Sequence, residues 1–209
     1  MRRAGPAGAF IVGVAVLAYG QGTGTVLRLF DGTLAGWIVE NSTTGNFTVR
    51  DKILRVEAPG GWLRSEREYG DVSIRLEFRF LTADADSGLF VRARTTGGFG
   101  RGWPTSSYQV QIRNPLTPSR LPPVGGLFRH GMPGGDTAFD AAVVEKVAKP
   151  TGEWQDLDVE VVGDRLTVRF NGTEVMRAAN IANPTGYIGL QGETGSLEFR
   201  AIELRQQGR

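Results

Sequence analysis

The segment SYQVQIR, residues 107–113, combines residue types that can hold sugars and oxyanions. Gln109, Gln111 and Arg113 recur at every second position, which places them on one face of a β-strand and the apolar residues on the other. Planar amide and guanidinium groups form paired hydrogen bonds with hydroxyl or carboxylate groups. The face carries no carboxylate, so it is a binding surface, a site of unusual chemistry or a solvated strand face.

His130 is the one histidine of the chain and a candidate general base, because an imidazole titrates near neutral pH. It lies in a long glycine-rich loop beside Arg129, where the alternative is a simply exposed side chain. A single histidine excludes a histidine-rich metal site. The absence of cysteine excludes disulfides, thiolate catalysis and a cysteine-type zinc site.

Outward-facing polar residues on other predicted strands would extend this surface if those strands are neighbours. Antiparallel sheets commonly have solvated faces, and that is the alternative for each residue taken singly. Trp62, Trp103 and Trp154 add flat apolar faces suited to stacking on sugar rings; core packing is the alternative, favoured for Trp154. The expected polar surface comprises Glu77, Arg92, Gln109, Gln111, Asp158, Glu160, Thr167 and Arg169.

The elements that must position these residues are short strands with alternating apolar and polar residues. In DVSIRLEFRF, residues 71–80, every second residue is apolar, and in SGLFVRAR the residues Leu89, Val91 and Ala93 are expected to point inward. Only residues 138–149 resemble an amphipathic helix. Many short strands with one apolar face predict an all-β fold, a β-sandwich of two antiparallel sheets with long loops at one end.

Turns and irregularities complete this picture. Gly163-Asp164 predicts a hairpin turn, and a change of parity near Arg200-Ala201 predicts a β-bulge. The irregular segment 114–150 and the glycine-rich stretch TTGGFGRGWP, residues 95–104, are expected at the ends of strands of one sheet. Long irregular segments in a compact domain often carry function, so these two could form the walls of a groove.

The N-terminal segment has the pattern of a signal peptide. Arg2 and Arg3 precede the apolar run of residues 9–19, which is too short to cross a bilayer comfortably and ends in small residues before Gly20. We expect a signal peptide at 1–20, a linker at 21–25 and one domain at 26–205, with an uncleaved anchor as the alternative. Without Arg2 and Arg3, 24 minus 2 basic residues balance 22 acidic ones, so no nucleic-acid partner is expected.

Seven motifs in order resemble the 3-keto-disaccharide hydrolase domain family, from about Val26 to about Leu204. They are LFDGTLAGW (29–37), EYGDVSIRLEFRF (68–80), DSGLFVR (86–92), SYQVQI (107–112), KPTGEWQ (149–155), FNG (170–172) and GYIGLQ with LEFRAIEL (186–204). The resemblance implies a concanavalin A-like jelly roll, in an exported bacterial protein that is secreted or periplasmic. It also implies a small saccharide or glycoside as the partner.

The implied substrates are sugars whose 3-hydroxyl is already oxidised to a ketone. The ketone acidifies the hydrogen on C2, so one base can remove it and the C1 substituent can leave by elimination, with or without later addition of water. An ordinary glycosidase needs two carboxylates instead. The enolate oxygen needs hydrogen-bond donors or a cation, so a divalent metal ion could take part, although no metal ligands are identified.

The match to the family's residues is uneven. Glu77, Arg92 and Gln111 match directly, whereas Asp86 replaces the usual asparagine, Gln109 a glutamate and Arg113 a common aspartate. The expected site has Glu77 or His130 as base, and its expected binding residues are Arg92, Gln109, Gln111, Arg113, Trp103 and Arg129. The alternative is a weakened, lectin-like carbohydrate-binding module. If the protein is a degenerate enzyme, Gln109→Glu should raise its activity.

Overall fold

The alternation of apolar and polar residues divides the chain into strands of two antiparallel sheets. The computed structural model describes residues 25–42, 46–94 and 102–208. Apart from one short helix, α1 (Ala141–Val147), the named elements are strands. They are β1 (Val26–Phe30), β2 (Trp37–Glu40), β3 (Phe47–Arg50), β4 (Ile53–Glu57), β5 (Trp62–Tyr69), β6 (Val72–Phe80), β7 (Asp86–Ala93), β8 (Ser107–Arg113), β9 (Leu127–His130), β10 (Asp136–Phe139), β11 (Gln155–Val162), β12 (Arg165–Phe170), β13 (Thr173–Ala179), β14 (Gly186–Gln191) and β15 (Ser196–Gln206).

The two sheets confirm the predicted all-β sandwich. The nine-stranded sheet has the order β10-β13-β12-β11-β6-β15-β4-β3, with β1 also paired to β15, and the six-stranded sheet has the order β2-β5-β14-β7-β8-β9. Consecutive strands β6, β7 and β8 therefore do not share one sheet: the chain crosses from the nine-stranded to the six-stranded sheet between β6 and β7. This crossing decides which polar residues can meet.

The core fills the space between the inner faces of the sheets. The alternate apolar residues of β6 are buried there, and so are Tyr108, Val110 and Ile112 of β8. Phe78 lies at the centre, with its ring centroid 5.9 Å from that of Phe199. Burial of each such large side chain contributes about 1.5–3 kcal/mol. Because the strand period is two, burial of Tyr108, Val110 and Ile112 sends the glutamines of β8 to the outer face.

Strand β7 changes face at Arg92. Leu89 and Val91 belong to the main core as predicted, but Ala93 packs with Trp62 and Phe90 in a separate apolar cluster. Arg92 has a φ of 53°, in the left-handed region, which breaks the alternation after Val91. The prediction that Ala93 points inward is therefore wrong, because the strict period of two ends one residue earlier.

Two local predictions are confirmed and one is corrected. Gly163-Asp164 joins β11 to β12, and the register of β15 against β6 shifts between Phe199 and Ala201. The helix is shorter than residues 138–149, because residues up to Phe139 pair with β13 and the Asp140 side chain caps the first turn.

Other predictions concern residues that lie outside those the structure describes. The expected signal peptide at 1–20 lies there, as do residues 21–24 of the linker and residues 95–101 of the glycine-rich stretch. Within the described part of the chain, no helix has the length and apolar character needed to cross a membrane.

Candidate functional site

Three buried glutamines form the centre of the outer face of the six-stranded sheet. We call Gln109, Gln111 and Gln191 the amide cluster. Each is at most 2% exposed, and β14, β7 and β8 bring them together by direct pairing. Gln109 Nε2 donates to Gln111 Oε1 at 3.0 Å and to Gln191 Oε1 at 2.8 Å. Buried amides are expensive unless hydrogen-bonded, so these contacts hold all three side chains in place.

His130 joins the amide cluster from the neighbouring edge strand. Its Nε2 lies 2.7 Å from Gln109 Oε1, because β9 pairs with β8 and places His130 opposite Ser107. The imidazole packs near Phe90 and Phe128, with ring centroids 5.9 and 6.5 Å away. Burial lowers the pKa of His130 below its usual value, since an apolar surrounding disfavours the imidazolium.

Asp86 lies at the opposite end of the amide cluster and is only 7% exposed. It faces Arg113 across the β7–β8 pair, next to the pair of Gly88 and Gln111. Its Oδ1 is fully buried and has no hydrogen-bond partner in the described part of the chain. Burial, and then the charge of Glu193, raise the pKa of Asp86 to about 7, against the smaller lowering effects of Arg113 and the Gln111 amide.

An aromatic cluster continues the outer face beside the amides. Trp62 and Phe90 are fully buried and meet edge to face, with ring centroids 5.6 Å apart, and Trp103 and Tyr187 pack against them. Trp103 Nε1 donates to the carbonyl oxygen of Gly192 at 3.1 Å. The outer face thus combines flat apolar rings with amides, one imidazole and one carboxyl group. Sugars are bound by surfaces of this kind, because they present both hydroxyls and apolar C–H faces.

The guanidinium groups of Arg113 and Arg129 are committed to backbone carbonyls. Arg113 donates to Pro122, Leu121 and Thr117, so it holds the loop that follows β8 while its charge acts on Asp86. Arg129 Nη1 donates to the carbonyl oxygen of Gly134 at the edge of the sheet. The structure therefore places Arg113 in the wall of the site and Arg129 at its margin.

Arg92 lines a different cavity, at the end of the sandwich. The cavity has a volume of about 500 Å³ and is lined by Arg92, Asp71, Asp164, Asn183 and Gln207 among others. Arg92 is 3% exposed, its Nη2 donates to Asp71 Oδ1 at 3.0 Å, and its Nη1 donates to the Asn183 carbonyl. The left-handed backbone at Arg92 turns the side chain towards this cavity, so the expected convergence of Arg92 with Gln109 and Gln111 does not occur.

Glu77 lies on the outer face of the nine-stranded sheet, so the expected polar surface is split between two sheets. Its Oε2 accepts from Arg200 Nε at 2.6 Å and its Oε1 lies 3.6 Å from Arg75 Nη2. Trp154 also belongs to this face: the guanidinium carbons of Arg79 and Arg200 lie 4.7 and 4.6 Å from its ring centroid. The preference for Trp154 as a core residue is therefore wrong, because two cations cover its ring instead of apolar side chains.

Glu77→Gln is expected to leave catalysis at the amide cluster unchanged. The substitution removes an ion pair whose partners are partly exposed, so it should cost no more than about 1 kcal/mol of unfolding free energy. Turnover and urea denaturation of the variant measure the two effects. A loss of turnover of more than tenfold in a normally folded variant would show that Glu77 takes part in catalysis.

Sequence reasoning missed three contributors to this face. Asp86 stands where the family has an asparagine, and Gln191 ends the motif GYIGLQ, but neither belongs to the expected set of site residues. Glu193 follows β14 and acts on Asp86 through its charge. The alternation of Asp86, Gly88 and Phe90 was the available signal for Asp86, because it continues the outer face of β7 by one more pair.

The described residues contain no group of side chains that could form a metal-binding site. Within residues 25–42, 46–94 and 102–208, no three histidine, aspartate or glutamate side chains are grouped closely enough to hold a metal ion. Asp86 and Glu193 are the two carboxyl groups that interact at this face.

One family model matches most of the chain. The model of a family described as "3-keto-alpha-glucoside-1,2-lyase-like domain" matches residues 26–205. No match was found among curated proteins.

Several solved structures share the fold at low sequence identity. A proposed glycosyl hydrolase from Parabacteroides distasonis superimposes with a TM-score of 0.67 at 14% identity, covering 89% of this chain and 95% of that one. The carbohydrate-binding module CBM66 from Bacillus subtilis gives 0.57 at 12% identity, covering 81% and 95%. The β-glucanase of Bacillus licheniformis gives 0.51 at 13% identity, covering 89% and 98%. At these identities the likeness shows a common fold.

Proposed function

The chain belongs to the 3-keto-α-glucoside-1,2-lyase-like domain family, and from this premise we propose that it cleaves the glycosidic bond of 3-keto-glycosides at the outer face of the six-stranded sheet. The observation that carries the proposal is Asp86, a buried carboxyl group with a pKa of about 7 beside the amide cluster. A base works best when its pKa lies near the operating pH. Burial provides that pKa here without a second base.

The chemistry requires one proton acceptor and donors for the enolate. The ionised Asp86 carboxylate takes the proton from C2, the electron pair of that C–H bond forms the enolate, and the C1–O bond then breaks. The departing oxygen takes up the proton that Asp86 holds, which returns the carboxylate to its starting state. Addition of water to the unsaturated product would give net hydrolysis.

The amide cluster supplies the donors in this scheme. Gln191 Oε1 accepts from Gln109, so the NH₂ group of Gln191 is turned away from Gln109 and can donate to the enolate oxygen. Donors held rigidly in a buried site stabilise developing charge far better than mobile water does. Trp103, the half-buried tryptophan of the aromatic cluster, would cover the apolar face of the sugar.

The test is direct assay of purified protein with 3-keto-trehalose and aryl 3-keto-α- and β-glucosides. We expect released sugar or aglycone, together with an unsaturated or hydrated keto-sugar, and no turnover of the parent glucosides. The assay is run with EDTA and with added divalent cations. No product from any 3-keto-glycoside under either condition would refute the proposal.

A carbohydrate-binding module is the second candidate function. It is favoured by the aromatic cluster and by the amide at Gln109, a group that binds hydroxyls but cannot remove a proton. Similarity to the fold of a carbohydrate-binding module adds to this. In that case calorimetry would show saccharide binding at millimolar concentration. Neither the wild type nor Asp86→Asn would turn over a 3-keto-glycoside.

The proposal includes export of the protein from the cytoplasm. The basic, apolar and small-residue order of residues 1–20 supports cleavage near Gly20 and action in the periplasm or outside the cell. Mass spectrometry of the protein recovered from a bacterial host tests this. An intact N-terminus on protein retained in the cytoplasm would contradict it.

A further inference from the structure

A buried arginine holds the loop that follows β8. Arg113 is only 7% exposed, although it belongs to the outer face of the sheet. Its Nε donates to the carbonyl oxygen of Pro122 at 3.2 Å, Nη1 to that of Thr117 at 3.0 Å and Nη2 to that of Leu121 at 2.7 Å. All three nitrogens of the guanidinium group therefore hold one segment, residues 117–122.

The same segment is also fastened to the chain that leads into β7. Thr117 Oγ1 donates to the carbonyl oxygen of Ala83, three residues before Asp86. Asp86 in turn pairs with Arg113 across the two strands, so both side chains lie on the same face of the sheet. The two anchors of the segment therefore lie close to Asp86, one along the chain and one across the sheet.

Arg113 gives its hydrogen bonds to the segment and not to the neighbouring carboxyl group. Asp86 Oδ1 is fully buried and has no hydrogen-bond partner among the described residues. The charge of Arg113 lowers the pKa of Asp86, but this effect is smaller than the opposing effect of burial. The charge of this arginine and the shelter that it provides thus act on the carboxyl group in opposite directions.

We propose that Arg113 is a positioning residue that fastens residues 117–122 as a wall beside Asp86 and thereby keeps water away from that carboxyl group. The part of this inference that concerns turnover rests on the proposed function; the exclusion of water does not. A desolvated carboxyl group keeps its proton to a higher pH. The wall therefore lets Asp86 serve as a base near neutral pH even though a cation lies next to it.

The other charged groups around Asp86 do not depend on this wall. Glu193 follows β14 and raises the pKa of Asp86 through its charge, from the side of the sheet opposite to Arg113. Asp84, in the turn before β7, is exposed. A change confined to residues 113–122 therefore leaves both of these carboxyl groups in place.

Arg113→Met separates the wall from the charge. Loss of the charge alone can only raise the pKa of Asp86, whereas entry of water lowers it. We expect the titration midpoint of Asp86 to fall by about one unit, from its wild-type value of about 7. Carboxyl ¹³C spectra of aspartate-labelled protein measure it, with the Asp86 signal identified by its absence from Asp86→Asn. An unchanged or raised midpoint would overturn the inference.

Thr117→Val makes the same test without any change of charge. The substitution removes the hydroxyl group that binds Ala83 and keeps the shape of the side chain. We expect a smaller fall of the Asp86 midpoint, which a purely electrostatic role of Arg113 would not produce. Arg120→Met removes an exposed cation of the same segment and should leave the midpoint unchanged. If Arg113→Met does not fold, an unchanged midpoint in Thr117→Val overturns the inference.

The pH dependence of turnover tests the consequence for the reaction. In Arg113→Met, the rise of kcat/KM for a 3-keto-glucoside should move to lower pH by the same amount as the midpoint. The plateau above pH 8 should fall about threefold, because the base is weaker. A lower kcat/KM with an unmoved pH profile would show a structural role only and overturn the inference. The expected fall of the midpoint in a protein that turns over no keto-sugar would refute only the proposed function.

Discussion

Asp86→Asn is expected to abolish turnover of a 3-keto-glucoside and, at the same time, to stabilise the protein at alkaline pH. Loss of the general base should lower kcat by about 10²- to 10⁴-fold. The wild-type kcat/KM should rise with pH through about 7, as Asp86 loses its proton. That rise should be missing from the residual activity of the variant.

The gain in stability follows from the direction of the pKa shift. Between about pH 4 and pH 7 the carboxyl group ionises in the unfolded chain but keeps its proton in the folded one, so the free energy of unfolding of the wild type falls across this window. At 1.36 kcal/mol per pKa unit, the loss amounts to at most about 4 kcal/mol above pH 7. Asparagine carries no such penalty.

Thermal unfolding at pH 4 and pH 8 measures this difference. The advantage of Asp86→Asn should be small at pH 4 and should reach up to about 10 °C in Tm at pH 8. Asp84→Asn removes an exposed carboxylate two residues away and should change neither Tm nor activity appreciably. A variant that keeps wild-type turnover, or that is less stable than wild type at pH 8, would show that Asp86 is not the buried base.

Gly88→Ala is expected to inactivate the site without altering any group that takes part in the chemistry. A methyl group at Gly88 would lie 2.3 Å from Gln109 Nε2 and 2.6 Å from its Cγ. Because Gln109 is buried and held by three hydrogen bonds, the methyl group must displace it from the amide cluster. We expect a loss of about 1–3 kcal/mol of unfolding free energy and a fall in kcat/KM of about a hundredfold.

The backbone gives no separate reason for an effect at Gly88, because its φ lies outside the left-handed region. Gly70→Ala is a matched control: its methyl group would meet the nearest atom at 3.4 Å, and it should remain active. Kinetics and chemical denaturation together separate the outcomes. A Gly88→Ala protein with normal kcat/KM would show that the position of Gln109 is not critical.

Much of the fold could be predicted, because the strand period is local information. The alternation in residues 71–80 and 107–113 predicted which side chains point into the core, and parity alone located the bulge between Phe199 and Ala201. Alternation cannot say which sheet a strand joins. Glu77 and Gln109 look equivalent in sequence, but β6 and β8 lie in different sheets, because the crossover to β7 depends on the packing of the whole chain.

The candidate site was predictable only in part for similar reasons. Gln109, Gln111 and His130 do come together, since they lie on adjacent strands of one sheet. The pKa of Asp86 depends on burial and on Glu193, which is distant in sequence. Arg92 lies away from the site because its backbone φ is in the left-handed region. Neither desolvation nor a left-handed backbone at a non-glycine residue produces a periodic pattern in the sequence.

The polar centre of this face is carried by strands, and this sets how the protein can be re-engineered. One residue inserted into β8 would exchange the core-facing and outward-facing side chains beyond the insertion, so the site does not tolerate a change of length there. The exposed residues 118–120 lie in a connection between strands and can vary in length with far less disturbance. Substrate preference should therefore be transferable between relatives by exchanging loops, with the reacting groups left in place.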